Sequence, residues 1–151
     1  MPVEVSLAVL ADYANVSREG KLNIMGIFDR IFARQLPGQF PPMQVVIRLE
    51  AHFAEMGREH TIQIQLRDPD GEAIFDINGN FTPMGGEAGE TAPLNHIISL
   101  GNLPLKQAGG HSVVIWVDND LKKEIPLKVV EAPTDPVQGN VFPQPGSPPV
   151  H

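Results

Sequence analysis

The sequence predicts an all-β fold, an antiparallel sandwich of about eight strands, and three observations carry that expectation. Apolar residues recur at alternate positions in segment after segment, which is the period of a strand with one buried face. Fifteen prolines and fourteen glycines in 151 residues exceed what helices tolerate, because proline removes an amide donor and glycine lowers helix propensity. Turn signals separate the apolar segments at roughly 8–12-residue spacing, as in a sandwich or barrel. No segment repeats apolar residues at i, i+3, i+4 and i+7 over three turns, so no helix of ordinary length is expected. Immunoglobulin-like and C2-like arrangements both fit.

In chain order, Val3, Val5, Leu7 and Val9 alternate in a first strand, and a polar stretch follows from Asp12 to Gly20. Lys21 to Arg34 is apolar on both parities, which predicts a central strand covered on both faces or bulged at Gly26. Pro37, Gly38, Pro41 and Pro42 read as a connection outside any ladder. Gln44 to Phe53 and His60 to Arg67 alternate cleanly and predict a hairpin across Glu55-Met-Gly-Arg58. Asp68-Pro-Asp-Gly71 is a turn in which proline fixes φ and glycine supplies a positive φ. Glu72 to Phe81 follows as a strand broken at Asn78-Gly79, then a glycine-rich loop from Thr82 to Ala92.

Leu94 to Leu100 gives a short strand, and Leu103 and Leu105 are expected to tuck inward from the connection that follows. The unbroken run Val113 to Val117 predicts another central strand, with Trp116 in the core. Asp118-Asn-Asp120 turns the chain into a last strand, Leu121 to Val130, in which Pro126 marks an edge or a bulge. Residues 1–131 therefore form the expected sandwich domain. Residues 132–151, proline-rich and nearly without large apolar side chains, form an expected disordered, extended tail.

Eighteen acidic against eleven basic residues give a formal charge of -7, which repels phosphate backbones and argues against a nucleic-acid partner. The absence of cysteine excludes disulfides, zinc ribbons and thiol catalysis. The first ten residues contain Glu4 and no basic residue, unlike a signal peptide, and no run approaches the ~20 apolar residues of a membrane span. The expected setting is the cytoplasm. Two glycosylation consensus triplets, at Asn15 and Asn80, are read as chance.

Ala11-Asp-Tyr-Ala-Asn-Val16 followed by Gly20-Lys-Leu-Asn-Ile-Met-Gly-Ile-Phe-Asp-Arg-Ile31 resembles a family of short bacterial proteins of unknown function. The resemblance continues through Gly57, His60, Asp70-Gly71 and Pro126-Leu-Lys-Val129. It implies a stand-alone β-sandwich in a bacterial cytoplasm and transfers no activity to any residue.

Catalytic phrases fail on inspection. Gly110-His-Ser112 begins a nucleophile elbow, but Val114 stands where its second glycine belongs. Gly20-Lys21 lacks the Ser or Thr of a phosphate loop, and Asp68-Pro-Asp70-Gly71 lacks the glycine position and distal acid of a helix-loop-helix calcium site. A looser calcium site could draw on Asp12, Asp68, Asp70, Asp118 and Asp120, although Asp is first of all a turn former. His52 and His60 flank the expected hairpin turn and could serve zinc or acid–base chemistry, with no third ligand assignable from His96 or His111.

Arg48, Glu50 and His52 opposite Thr61, Gln63, Gln65 and Arg67 would make a polar sheet face, fit for solvent, a sugar or a partner. Asn23 and Asp29 fall inside an apolar segment and are expected to be buried and hydrogen-bonded, with Asp12 and Asn15 as partners. Pro133-Thr-Asp-Pro136 and Pro145-Gly-Ser-Pro148 have polyproline spacing without flanking basic residues. The resulting expectation is a non-enzymatic interaction or structural module with no cofactor, binding a protein partner or associating with itself through edge strands. The alternative is a small calcium- or zinc-dependent binding protein or enzyme using the loop acids with His52 and His60.

Overall fold

A computed structural model describes residues 3–85 and 88–132. These form β1 (Val3–Val16), β2 (Leu22–Phe28), β3 (Arg30–Ala33), β4 (Gly38–Gln39), β5 (Met43–His52), β6 (His60–Arg67), β7 (Ala73–Phe81), β8 (Thr91–Leu100), β9 (Pro104–Leu105), β10 (Gly109–Val117) and β11 (Asp120–Glu131). A four-stranded sheet runs in the order β2-β1-β5-β8, a five-stranded sheet in the order β3-β11-β10-β6-β7, and β4 pairs with β9. All pairings are antiparallel except β3 with β11. The all-β expectation holds, with eleven strands among the described residues in place of about eight.

The two sheets face each other across an apolar core. Val45, Ile47 and Leu49 of β5 and Leu10 of β1 meet Ile64 and Leu66 of β6, Ile115 of β10 and Leu127 of β11. Side chains of this size contribute about 1.5–3 kcal/mol each when fully removed from water, so the alternating pattern is what closes the layers. β5 is central in its sheet and buried on both faces, because Val46 packs outward against Ala11 and Ala14. β10 is central in the other sheet, as its apolar run predicts.

Lys21 to Arg34 departs from expectation. The segment is not one central strand: β2 is an edge of the four-stranded sheet, and after Asp29 the chain enters β3, an edge of the five-stranded one. Apolar residues of both parities occur within β2 itself: Leu22 and Ile24 pack with Val46 on the outer face, Phe28 packs on the inter-sheet core, and Met25 and Ile27 are exposed. Likewise β5 and β6 form no hairpin; a 3-10 turn at Phe53–Glu55 carries the chain from one sheet to the other. β7 is unbroken at Asn78 and Gly79, which pair in register with Gln63 and Ile62. Gly38 and Gln39 do enter a ladder, a two-residue one against Leu105 and Pro104.

The turn readings hold. Asp68 Oδ1 accepts the amides of Asp70 and Glu72, and Gly71 has φ +88. Asp118 and Asn119, with φ 51 and 66, turn β10 into β11. Pro126 lies where β11 has β10 on one side only, since β3 joins from Lys128 onward. Leu105 is buried as expected. The tail motifs at 133–136 and 145–148, and the disorder expected there, lie outside the described residues.

Candidate functional site

The new sheet assignment scatters the residues that the sequence grouped. Arg48, Glu50 and His52 lie on β5 and pair with β1 and β8, whereas Thr61, Gln63, Gln65 and Arg67 lie on β6 in the other sheet. They share no face. His52 is exposed opposite Thr91, and His60 is buried among other partners. Asp118 adjoins Thr61 at the start of β6, and Asp68 adjoins its end, so the proposed calcium acids sit at opposite ends of the sheet. Asp12 stands apart on β1. Among the described residues no group of three or more His, Cys, Asp or Glu could hold a metal ion.

Asn23 and Asp29 are exposed, not buried. Asn23 Nδ2 does donate to Asn15 Oδ1 at 3.0 Å, the expected partner, while Asp29 acts through its backbone carbonyl, which accepts the Lys128 amide at 2.9 Å. Trp116 is not a core residue either. Its neighbours Val113, Ile115 and Val117 face inward, and Trp116, half-buried on the outer face, has the Arg67 guanidinium 5.0 Å from its ring centroid.

Sequence reasoning missed a polar node at one end of the sandwich. His60 is 5% exposed; its Nδ1 lies 2.6 Å from Asp118 Oδ2, and Glu55 Oε2 stands 3.3 Å from its Nε2. The ring stacks on Phe81, which in turn meets His96 edge-on. Asp118 Oδ1 accepts the Thr61 amide, so one carboxylate ties the β10–β11 turn to β6. Burial pushes the Asp118 carboxyl upward, but the bonds from His60 and Thr61 and the charges of His60 and Lys122 outweigh it and hold the carboxyl below its ordinary value. Burial alone lowers His96. His60 shares the parity of the buried Ile62, Ile64 and Leu66, and that is the signal that could have found it.

At the opposite end, Asp68, Glu72, Lys106 and His111 line a cleft of about 170 Å³. His111 Nδ1 lies 3.2 Å from the Gly109 carbonyl. A second cleft, about 180 Å³, opens beside Trp116 on the outer face of the five-stranded sheet.

The third feature is the free edge of β2. Met25 and Ile27 are 65% and 61% exposed, and Met25 pairs across the ladder with Tyr13, also exposed. Gly26, at φ +72, lies against the Asp12 side chain, yet the register with β1 is the same on both sides of it. An edge strand with large apolar side chains and unpaired backbone groups is a template for another strand. Lys21 and Asp29 flank it at its two ends, both exposed.

Residues 6–130 match the model of a family described as "Family of unknown function (DUF6941)". No curated protein matches the chain. Among solved structures it is similar to the Pseudomonas fluorescens alkylpurine DNA glycosylase AlkC bound to DNA containing an abasic site analog, with TM-score 0.46 and 9% identity over 85% of this chain. This chain spans 30% of that one, and a likeness of that size carries no argument about DNA here.

Proposed function

The chain belongs to the DUF6941 family, and for it we propose a non-enzymatic interaction module that pairs with a second copy of itself through the β2 edge. The observation that carries the proposal is the self-complementarity of that edge. Antiparallel pairing centred on Met25 sets residue 21 against residue 29, so Lys21 of each copy meets Asp29 of the other, twice by symmetry. Met25 and Ile27 lose water on both copies, and two four-stranded sheets become one continuous sheet. The ion pairs fix register more than affinity, at about 0.2–1 kcal/mol for each exposed pair. A bacterial cytoplasm, where such a cysteine-free scaffold needs no oxidising compartment, completes the reading.

Sedimentation equilibrium across a concentration series tests it. A monomer–dimer equilibrium is expected, with Met25→Lys strongly favouring the monomer. Lys21→Glu should weaken the dimer by about fivefold, from two reversed pairs at roughly 0.5 kcal/mol each, and adding Asp29→Lys should restore it. A monomer at every concentration, or a dimer indifferent to these changes, would refute the proposal.

A further inference from the structure

We infer that the cleft beside Trp116 is a binding site for a neutral saccharide, its sugar ring packed against the indole. β10 alternates Val113, Ile115 and Val117 into the core, so Trp116 is turned outward on an otherwise apolar strand. The register between β10 and β11 shifts between Ile115 and Trp116, with Lys122 of β11 as the extra residue, while β10 itself stays in unbroken register with β6, so Trp116 keeps its outward parity. Cross-strand pairing then builds the surround. Asn78, Gln63 and Trp116 form one row across β7, β6 and β10, and Asn80 pairs with Thr61 in the adjacent row. Asn119, in the turn after β10, completes a cleft of about 180 Å³.

Every polar side chain that lines this cleft is neutral, four carboxamides and one hydroxyl. The nearest charges lie just outside the lining, the Asp76 carboxylate that accepts from Gln63 and Asn78 and the Arg67 guanidinium over the indole, and they offset each other. A saccharide fits the set on two counts: its hydroxyls both donate and accept, matching amides that present a donor and an acceptor side by side, and its C–H face is apolar enough to pack on an aromatic ring. Arg67 approaches the indole from the far end of β6, whereas Thr61 and Asn119 lie at the other end. The guanidinium thus braces the ring without occupying the cleft, and a braced ring loses little freedom when ligand arrives.

Trp116 is the single tryptophan of the chain, so its fluorescence reports this cleft alone. The full-length protein is titrated with maltotriose, cellotriose, N-acetylglucosamine trimer, mannotriose and lactose, with glycerol as control. A saturable shift with at least one saccharide is expected, changing by less than about twofold between low and high salt because no lining group is charged. Asn80→Tyr, which fills the cleft from an exposed position where an aromatic suits a strand, should weaken that response more than about tenfold. Asn78→Val should do likewise by removing an amide, and unchanged denaturation midpoints show that both variants remain folded. Absence of saturation with every saccharide, equal binding by both variants, or a steep salt dependence would each overturn the assignment.

Discussion

Asp118→Ala removes the acceptor for two donors, His60 Nδ1 at 2.6 Å and the Thr61 amide at 3.0 Å. A hydrogen bond to a charged group is worth about 1.5–3 kcal/mol where it is shielded. The Asp118 side chain is 39% exposed, so solvent screening pulls the His60 bond to the lower end of that range. Thr61 is exposed, and its amide recovers water, so it adds little. The substitution should therefore cost about 1.5–2 kcal/mol. His60→Ala loses the same bond and also the ring that stacks on Phe81, for about 3 kcal/mol in all. Urea denaturation of the parent, both single variants and the double variant closes the cycle, with a coupling of about 1 kcal/mol or more expected.

The sign of the pH dependence follows from the lowered Asp118 carboxyl. Its ionised form is favoured by folding, so the contribution is complete above the ordinary carboxylate range and is lost as pH falls through the lowered value. The parent should thus lose its advantage over Asp118→Ala only in strong acid. Additive single effects, within about 0.3 kcal/mol, would refute the coupling.

Leu66→Ala should cost about 2–5 kcal/mol in the same assay, since Leu66 is fully buried between the sheets. Gly26→Ala should cost about 1–2 kcal/mol, because φ +72 puts a β-carbon in the left-handed region and its new methyl would overlap the Asp12 carboxylate. Asp12→Ala alongside it should recover little, as the backbone strain remains. Folding resists protonation of His96, whose burial lowers it from an ordinary 6.5. The unfolded chain binds that proton more readily, so stability declines as pH drops from the ordinary value to the lowered one. Denaturation midpoints of His96→Phe between about pH 5 and 8 should fall less steeply than those of the parent.

The longer strands were legible, because burial of one sheet face imposes alternation on the chain itself, whereas the two-residue β4 and β9 are too short to show a period. The turns at Asp68–Gly71 and Asp118–Asp120 were legible too, because positive φ and side-chain acceptance at Asp68 demand particular residues. Partner strands were not. Alternation in β5 and β6 states which face is buried, and it reads the same whether the seven residues between them fold into a hairpin or cross to the other sheet. That one ambiguity cost the supposed His52–His60 pair and the composite polar face. Trp116 was misplaced for a related reason: in a run of five apolar residues parity is silent, and only the outward neighbours Gln63 and Asn78 across the sheet reveal its side. His60 shares the parity of Ile62, Ile64 and Leu66, but Asp118 reaches it across 58 positions of chain, a contact no local pattern encodes.

The parallel pairing of β3 with β11 joins residues near position 30 to residues near 130. On a ribosome β3 must therefore wait, its ladder unfilled, until the strands between it and β11 have emerged, because its neighbour is made about a hundred residues later. Vectorial synthesis cannot complete this layer piecemeal, and a nascent chain stalled before Lys128 would present the apolar side of β3 to whatever chaperone or sister chain is nearest.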